Sequence, residues 1–254
     1  MKKCHLFLSL FLLLGANTLL AQNDTLYVIK AGKVINKQSI KAADIDSIVF
    51  YKPILKSQAS IGNQVWTIKN LDVTTYRDGT PIPEVTDPTQ WSNLTSGAWC
   101  YYNNESVNGR IYGKLYNWYA VAGIYDAASL ANQSLRKQLA PVGWHVPSDT
   151  EWTTLTNFLG GESVAGGKMK DAGLTYWDSP NVSATNESGF TGIPGGYRND
   201  DGTFDGLGSH AFWWSTKESS ATESFYRYLY YNFGDAGSYF NLNVFGFSVR
   251  CIKD

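Results

Sequence analysis

The chain has 254 residues, a formal net charge of −1, 17% charged residues and 15% aromatic residues. Charged residues fall below the roughly 25% of an ordinary soluble domain, and the aromatics are too many for a disordered chain. There is no basic excess to neutralise a phosphate backbone, which argues against nucleic acid as a partner. Three Cys and three His cannot furnish a zinc cluster or a cysteine-dense scaffold.

Residues 1–21 have the layout of a secretory signal peptide. Lys2 and Lys3 precede an apolar run from Leu6 to Leu14, and small residues lead to a cleavage point at Ala21-Gln22. Asn17-Thr18 interrupts the run before it reaches the roughly 20 apolar residues of a membrane span. Cys4 lies ahead of the apolar core, where a lipoprotein cysteine would not be. The expected destination is outside the cytoplasm: periplasm, cell surface or medium. Cleavage leaves His145, His210, Cys100 and Cys251. An exported chain with two cysteines is expected to pair them, so a Cys100–Cys251 disulfide is predicted. Two buried free thiols are the alternative.

Residues 22–56 read as a short β-rich segment. Thr25-Leu26-Tyr27-Val28-Ile29-Lys30, Val34-Ile35 and Ile45-Asp46-Ser47-Ile48-Val49-Phe50 are its strand-like runs, and Pro53 opens a linker. Residues 57–254 form the main domain and hold all nine Trp. Leu115, Trp118, Tyr119 and Ala122 share one helical face. Ser148-Asp149-Thr150-Glu151 is a capping box behind Pro147, and Trp152, Leu155, Phe158 and Leu159 form the stripe that follows. Gly160-Gly161 ends that helix, and a third helix is expected over residues 164–170. Later, residues 225–231 read as a strand and residues 244–252 as a closing strand. The order predicts an α+β fold that is loop-rich, with two or three early helices and antiparallel strands after them.

Several segments carry a family likeness. They include Ile61-Gly62-Asn63-Gln64-Val65-Trp66 with Asn70-Leu71, and Ala98-Trp99-Cys100-Tyr101-Tyr102-Asn103-Asn104. Tyr112-Gly113-Lys114-Leu115-Tyr116-Asn117-Trp118-Tyr119 and Gly143-Trp144-His145-Val146-Pro147-Ser148-Asp149 follow. Gly195-Gly196-Tyr197-Arg198, Phe212-Trp213-Trp214-Ser215-Thr216 and Gly246-Phe247-Ser248-Val249-Arg250-Cys251 complete the set. In this order they resemble the Fibrobacter succinogenes major paralogous domain of exported proteins from Bacteroidetes and Fibrobacteres. That family has no established biochemical activity. The stretch Ile45 to Phe50 resembles a short N-terminal module of Bacteroidetes surface proteins. Residues 143–152 are also similar to the formylglycine-generating and sulfatase-modifying group. That likeness implies a C-type-lectin-like fold in which strands near residues 65–68 and 247–252 meet. The enzymes of that group use a cysteine pair near the C-terminus, and this chain has only Cys251 there, so their oxygen chemistry is not implied.

The candidate sites follow from residue chemistry. Tyr226, Tyr228 and Tyr230 share one strand face and would stack on sugar rings if exposed. Adjacent Trp213 and Trp214 point to opposite faces, so one is expected in the core and the other on a platform. Tyr197 and Arg198 are added as ligand-binding candidates from their motif. Asp200, Asp201 and Asp205 offer part of a calcium shell, against the reading of a hairpin turn with Asp201-Gly202 at its tip. His145 has no second ligand or nucleophile in its vicinity and reads as structural. The leading functional expectation is an exported binding module for glycans, without catalytic activity. A structural or protein-interaction domain of the cell surface is the alternative. A glycan hydrolase ranks last, because no carboxylate pair can be chosen from the sequence.

Overall fold

The computed structural model describes the backbone of residues 25–30 and 33–39 and all of residues 57–254. The chain divides into two units, Met1–Ile54 and Leu55–Asp254. In the first, β1 (Thr25–Lys30) and β2 (Lys33–Ser39) pair as an antiparallel hairpin, with Lys30 opposite Lys33 at the turn. The second strand is longer than the expected Val34-Ile35. The leader over residues 1–21 and the strand expected from Ile45 to Phe50 lie outside the described residues.

The second unit is α+β. Its strands are β3 (Gln58–Ile61), β4 (Gln64–Thr67), β5 (Trp99–Cys100), β6 (Leu115–Tyr116), β7 (Trp144–His145), β8 (Gly195–Arg198), β9 (Phe204–Leu207), β10 (His210–Glu218), β11 (Glu223–Tyr230), β12 (Gly237–Leu242) and β13 (Ile252–Lys253). The largest sheet has the order β12-β11-β10-β8-β9, antiparallel except for the β10–β8 pair. A second sheet has the order β3-β4-β13-β7. Ile252 of β13 sits opposite Trp66 of β4 and opposite His145 of β7. The early and final strands of the domain therefore meet, as expected. The expected long closing strand is instead broken: residues 246–248 make isolated bridges to Arg198, Tyr116 and Trp213 before β13 begins.

The described helices are short: α1 (Pro88–Ser92), α2 (Ser106–Tyr112), α3 (Trp118–Val121), α4 (Ala127–Ala131), α5 (Asp149–Phe158) and α6 (Glu162–Met169). The predicted capping box opens α5. Ser148 Oγ accepts from the Glu151 N–H, and Glu151 accepts from the Ser148 N–H. Trp152, Leu155 and Leu159 are buried, while Phe158 stays 64% exposed and lies over Gly62. The helix expected from Leu115 starts later. Asn117 Oδ1 accepts from the Ala120 N–H and from the Ala98 N–H, which places the helix start at Trp118. Leu115 and Tyr116 are extended and pair with Cys100 and Trp99.

The central residues of β10, Ala211 to Ser215, are buried on both faces of the sheet. Trp213 joins one core with Trp66, Trp152, Phe190 and Leu229, and Trp214 joins another with Trp118, Tyr226 and Phe247. Both Trp residues are fully buried. The expectation that one of them forms an exposed platform is thus corrected: α5 and α6 pack behind the sheet, and the closing segment with Trp118 packs in front. Their indole N–H groups are satisfied inside, Trp213 by Asn70 Oδ1 at 2.9 Å and Trp214 by the Tyr116 carbonyl at 2.8 Å.

The predicted disulfide is also corrected. Cys100 and Cys251 are free and buried. Cys100 packs with Val85, Trp91 and Leu115, whereas Cys251 belongs to the core of Tyr116 and Val249. Cys100 lies in β5, and Cys251 directly precedes β13, a strand of a different sheet. Burial pushes each thiol up to about 12, against a smaller opposing pull from Arg198 on Cys100 and from Arg250 on Cys251. Neither supplies the thiolate needed for alkylation. We expect iodoacetamide at pH ~8 to leave the native protein unmodified and to label both cysteines once it is unfolded in urea. Protection of both cysteines in urea without reductant would restore the disulfide.

Candidate functional site

The period-2 alternation of β10 and β11 sorts their side chains between the two faces of the sheet. Trp213 and Leu229 face the helices. His210, Phe212 and Trp214 face the other way, opposite Tyr230, Tyr228 and Tyr226 respectively. On the neighbouring strands, Tyr239 lies opposite Tyr226 and Gly237 opposite Tyr228. A Cβ at Gly237 would sit 2.0 Å from the Tyr228 ring, so only glycine lets that ring lie down across β12. Tyr197 on β8 stacks on Phe212 with centroids 5.0 Å apart.

The face is graded from dry to wet. Trp214, Phe212 and Tyr226 are buried. Tyr197, His210, Tyr228, Tyr230 and Phe245 are half-buried against that core. Phe233 and Tyr239 are 54% and 58% exposed. The half-buried rings are contiguous: Tyr197–His210 centroids lie 5.9 Å apart, His210–Tyr230 4.7 Å and Tyr228–Tyr230 4.9 Å. Phe233 extends the row 6.3 Å from Tyr230. Burial raises the phenol pKa of Tyr197, Tyr228 and Tyr230, with smaller contributions from neighbouring acids and phenols, so each hydroxyl stays a neutral donor. Burial lowers His210, against a weaker pull from Asp205, and its Nδ1 lies 2.6 Å from Ser209 Oγ. Lys170, fully buried, donates to the carbonyls of Tyr230 and Phe233 and fixes the turn that presents Phe233.

The candidate residues from the sequence therefore divide. Tyr197, Tyr228 and Tyr230 come together on this face, and Tyr226 forms its buried floor. Arg198 does not join them. It is fully buried, and it donates through Nε to Gly202, Nη1 to Val85 and Nη2 to Thr86, all main-chain carbonyls. Its guanidinium also lies 4.3 Å over the Trp91 ring. Fully buried and turned to these carbonyls, it is out of reach of a ligand, so its ligand-binding assignment is corrected. Asp200, Asp201 and Asp205 do not assemble a calcium shell: no group of three or more acidic, His or Cys residues suited to a metal occurs among the described residues. Asp201 accepts from the Thr203 N–H and hydroxyl within the β8–β9 turn, where Gly202 has φ +85. Asp205 lies along β9, opposite Tyr197. His210, Phe212, Phe233, Tyr239 and Phe245 were not singled out from the sequence. Extending the alternation of Trp214 back through Phe212 to His210 would have found the first two.

A separate polar cluster surrounds His145. Its Nδ1 lies 2.7 Å from Asp254 Oδ1 and its Nε2 2.8 Å from Glu151 Oε1. Carboxylates only accept, so both ring nitrogens donate and the ring is cationic in this arrangement. The pair couples β7 and the N-terminus of α5 to the residue after β13. Structural use of His145, as read from the sequence, fits this geometry.

A family model for the Fibrobacter succinogenes major domain matches residues 59–253. The chain belongs to that family. The match spans nearly the whole second unit, including every motif from Ile61 to Cys251. No curated protein matches the chain. No solved structure matches it either. Among the described residues of this Fibrobacter succinogenes major domain, no helix is long and apolar enough to cross a membrane.

The His145 cluster gives a pH signature. Burial alone would lower the imidazole pKa, but the hydrogen bonds and charges of Asp254 and Glu151 outweigh it and hold the folded value above the ordinary 6.5. For Glu151, burial raises the pKa, and the Ser148 N–H, His145 and the Ser148 hydroxyl bring it below the ordinary 4.5. The His145 contribution is thus complete below its unfolded pKa and is lost as pH rises through its raised folded value. The Glu151 contribution is complete above its unfolded pKa and is lost as pH falls through its lowered folded value. Differential scanning calorimetry should show Tm falling as pH rises above the ordinary imidazole value of 6.5, with a shallower fall in His145→Gln. An unchanged slope in that variant would remove His145 as the cause.

Proposed function

We propose that this domain is an exported, non-catalytic binding module whose open aromatic face receives saccharide rings. The observation that carries the reading is the graded face of Tyr197, His210, Tyr228 and Tyr230, with Phe233 and Tyr239 left in solvent. Aromatic surface that can be buried is normally buried, and contiguous exposed apolar area marks a contact site. Ring faces bury the apolar side of a sugar, while phenol and imidazole edges offer hydrogen bonds to its hydroxyls. The likeness of residues 143–152 to a C-type-lectin-like group agrees with a binding role, and the layout of residues 1–21 agrees with export.

The second reading is a protein-interaction domain of the cell surface. It draws on β12, which is an edge strand of its sheet and carries exposed Tyr239 and Leu242. An edge strand presents unpaired main-chain groups to which a partner strand can add.

A glycan array probed with the protein, followed by calorimetry on any hit, separates the two. We expect saturable binding to a neutral oligosaccharide, weakened at least about tenfold by Tyr230→Ala or Phe233→Ala. Phe233→Ala should leave Tm within about 2 °C, because Phe233 contributes little to the core. Absence of binding to every glycan by the folded protein would sink the saccharide reading.

A further inference from the structure

The aromatic face carries charge as well as rings. Residues paired across antiparallel strands point their side chains to the same side of the sheet. Asp205 pairs with Tyr197, so its carboxylate stands beside the Tyr197 and His210 end of the ring row. It is exposed, and its Oδ1 accepts the Gly206 N–H at 2.6 Å. An ionised carboxylate has about four acceptor sites, so capacity is left for a ligand. Asp205 enters none of the ion pairs among the described residues.

The other charges near the rings are acidic, and they are already matched. Burial is the largest cause of the raised phenols of Tyr197, Tyr228 and Tyr230. Asp205, Asp235, Glu162 and other phenols add to it, and no Lys or Arg opposes them. Glu162 is neutralised by Arg227 at 2.8 Å. Asp235 is partly balanced by Lys170, whose ammonium lies against Trp177 on the helix side of the sheet. Burial holds the His210 imidazole below its ordinary 6.5, so it brings no positive charge to the face at neutral pH. Asp205 is therefore the uncompensated charge, and it sits next to ring faces. Both features attract a cation, and the same carboxylate repels an anionic sugar.

We propose that the face selects saccharides that carry a free amine, with Asp205 receiving the ammonium beside the Tyr197 ring. This selectivity rests on the saccharide site proposed above and names its sugar class.

Titration calorimetry at neutral pH and low salt, with a β-1,4-linked glucosamine tetramer and the matching glucose tetramer, tests it. The two ligands differ only by amine against hydroxyl on each ring. The glucosamine tetramer should bind at least about fivefold more tightly. Asp205→Asn keeps an acceptor for the Gly206 N–H but removes the charge, so the ratio should fall to about one. Asp200→Asn, at an exposed acid of the neighbouring turn, should keep the parental ratio. Equal affinity for the two tetramers would overturn the amine preference and leave the saccharide site standing. A preference that survives Asp205→Asn, or that Asp200→Asn removes as well, would overturn the role of Asp205. No binding of either tetramer by the folded protein would overturn both the preference and the site.

Discussion

The domain depends on one buried polar knot, centred on Arg250 and Asn70. Arg250 is fully buried and donates through Nε to Asn70 Oδ1 at 2.6 Å, through Nη1 to Thr67 and Phe190, and through Nη2 to the Thr191 carbonyl. Asn70 Oδ1 also takes the indole N–H of Trp213, and its Nδ2 donates to the Tyr112 carbonyl and to Ser248 Oγ. Five separate stretches of chain thus share two side chains. A loop-rich domain must find partners for carbonyls that no ladder pairs, and a guanidinium with five donors supplies them compactly. Arg198 does the same for the loops around Val85 and Gly202, and Lys170 for the turn at Phe233.

The open aromatic face follows from this arrangement. With Trp213 tied to Asn70, β10 is locked with one face against α5 and α6. Residues 246–248 then bridge across its front beside Trp214. That cover reaches Trp214, Tyr226 and Phe247, which are buried, but only partly shields the rings of His210, Tyr228 and Tyr230 farther along the strands. The face is open because the covering segment is short, and the alternation of β10 and β11 fills the uncovered end with aromatic rings. A scaffold rigid at one end and wet at the other suits recognition, since little must be ordered when a ligand arrives.

Much of this was legible in the residues. The capping box at Ser148, the meeting of the first and last strands and the shared face of Tyr226, Tyr228 and Tyr230 rest on local chemistry and on motifs in order, and they survive in the structure. The misreadings concern properties that arise only in three dimensions. Trp213 and Trp214 read as one inside and one outside, because alternation cannot tell whether a sheet is covered on one side or two. Arg198 looked available because a charged residue in a motif gives no sign of the carbonyls it will serve. Cys100 and Cys251 looked like a pair because count and compartment say nothing about which core each enters. Leu115 fitted a helical period, but Asn117 sets the helix start and leaves Leu115 extended.

The direct test of the central knot is urea unfolding of Arg250→Met, which keeps length and apolar volume but removes every donor. The carbonyls of Thr67, Phe190 and Thr191 would lose the Arg250 donor, while Asn70 Oδ1 keeps the Trp213 indole N–H, and each buried acceptor left unmade costs about 1–3 kcal/mol. Allowing for relaxation, a loss of about 3 kcal/mol or more is predicted. A stability within about 0.5 kcal/mol of the parent protein would contradict the account, because the strands it describes as held by Arg250 would then be held by something else.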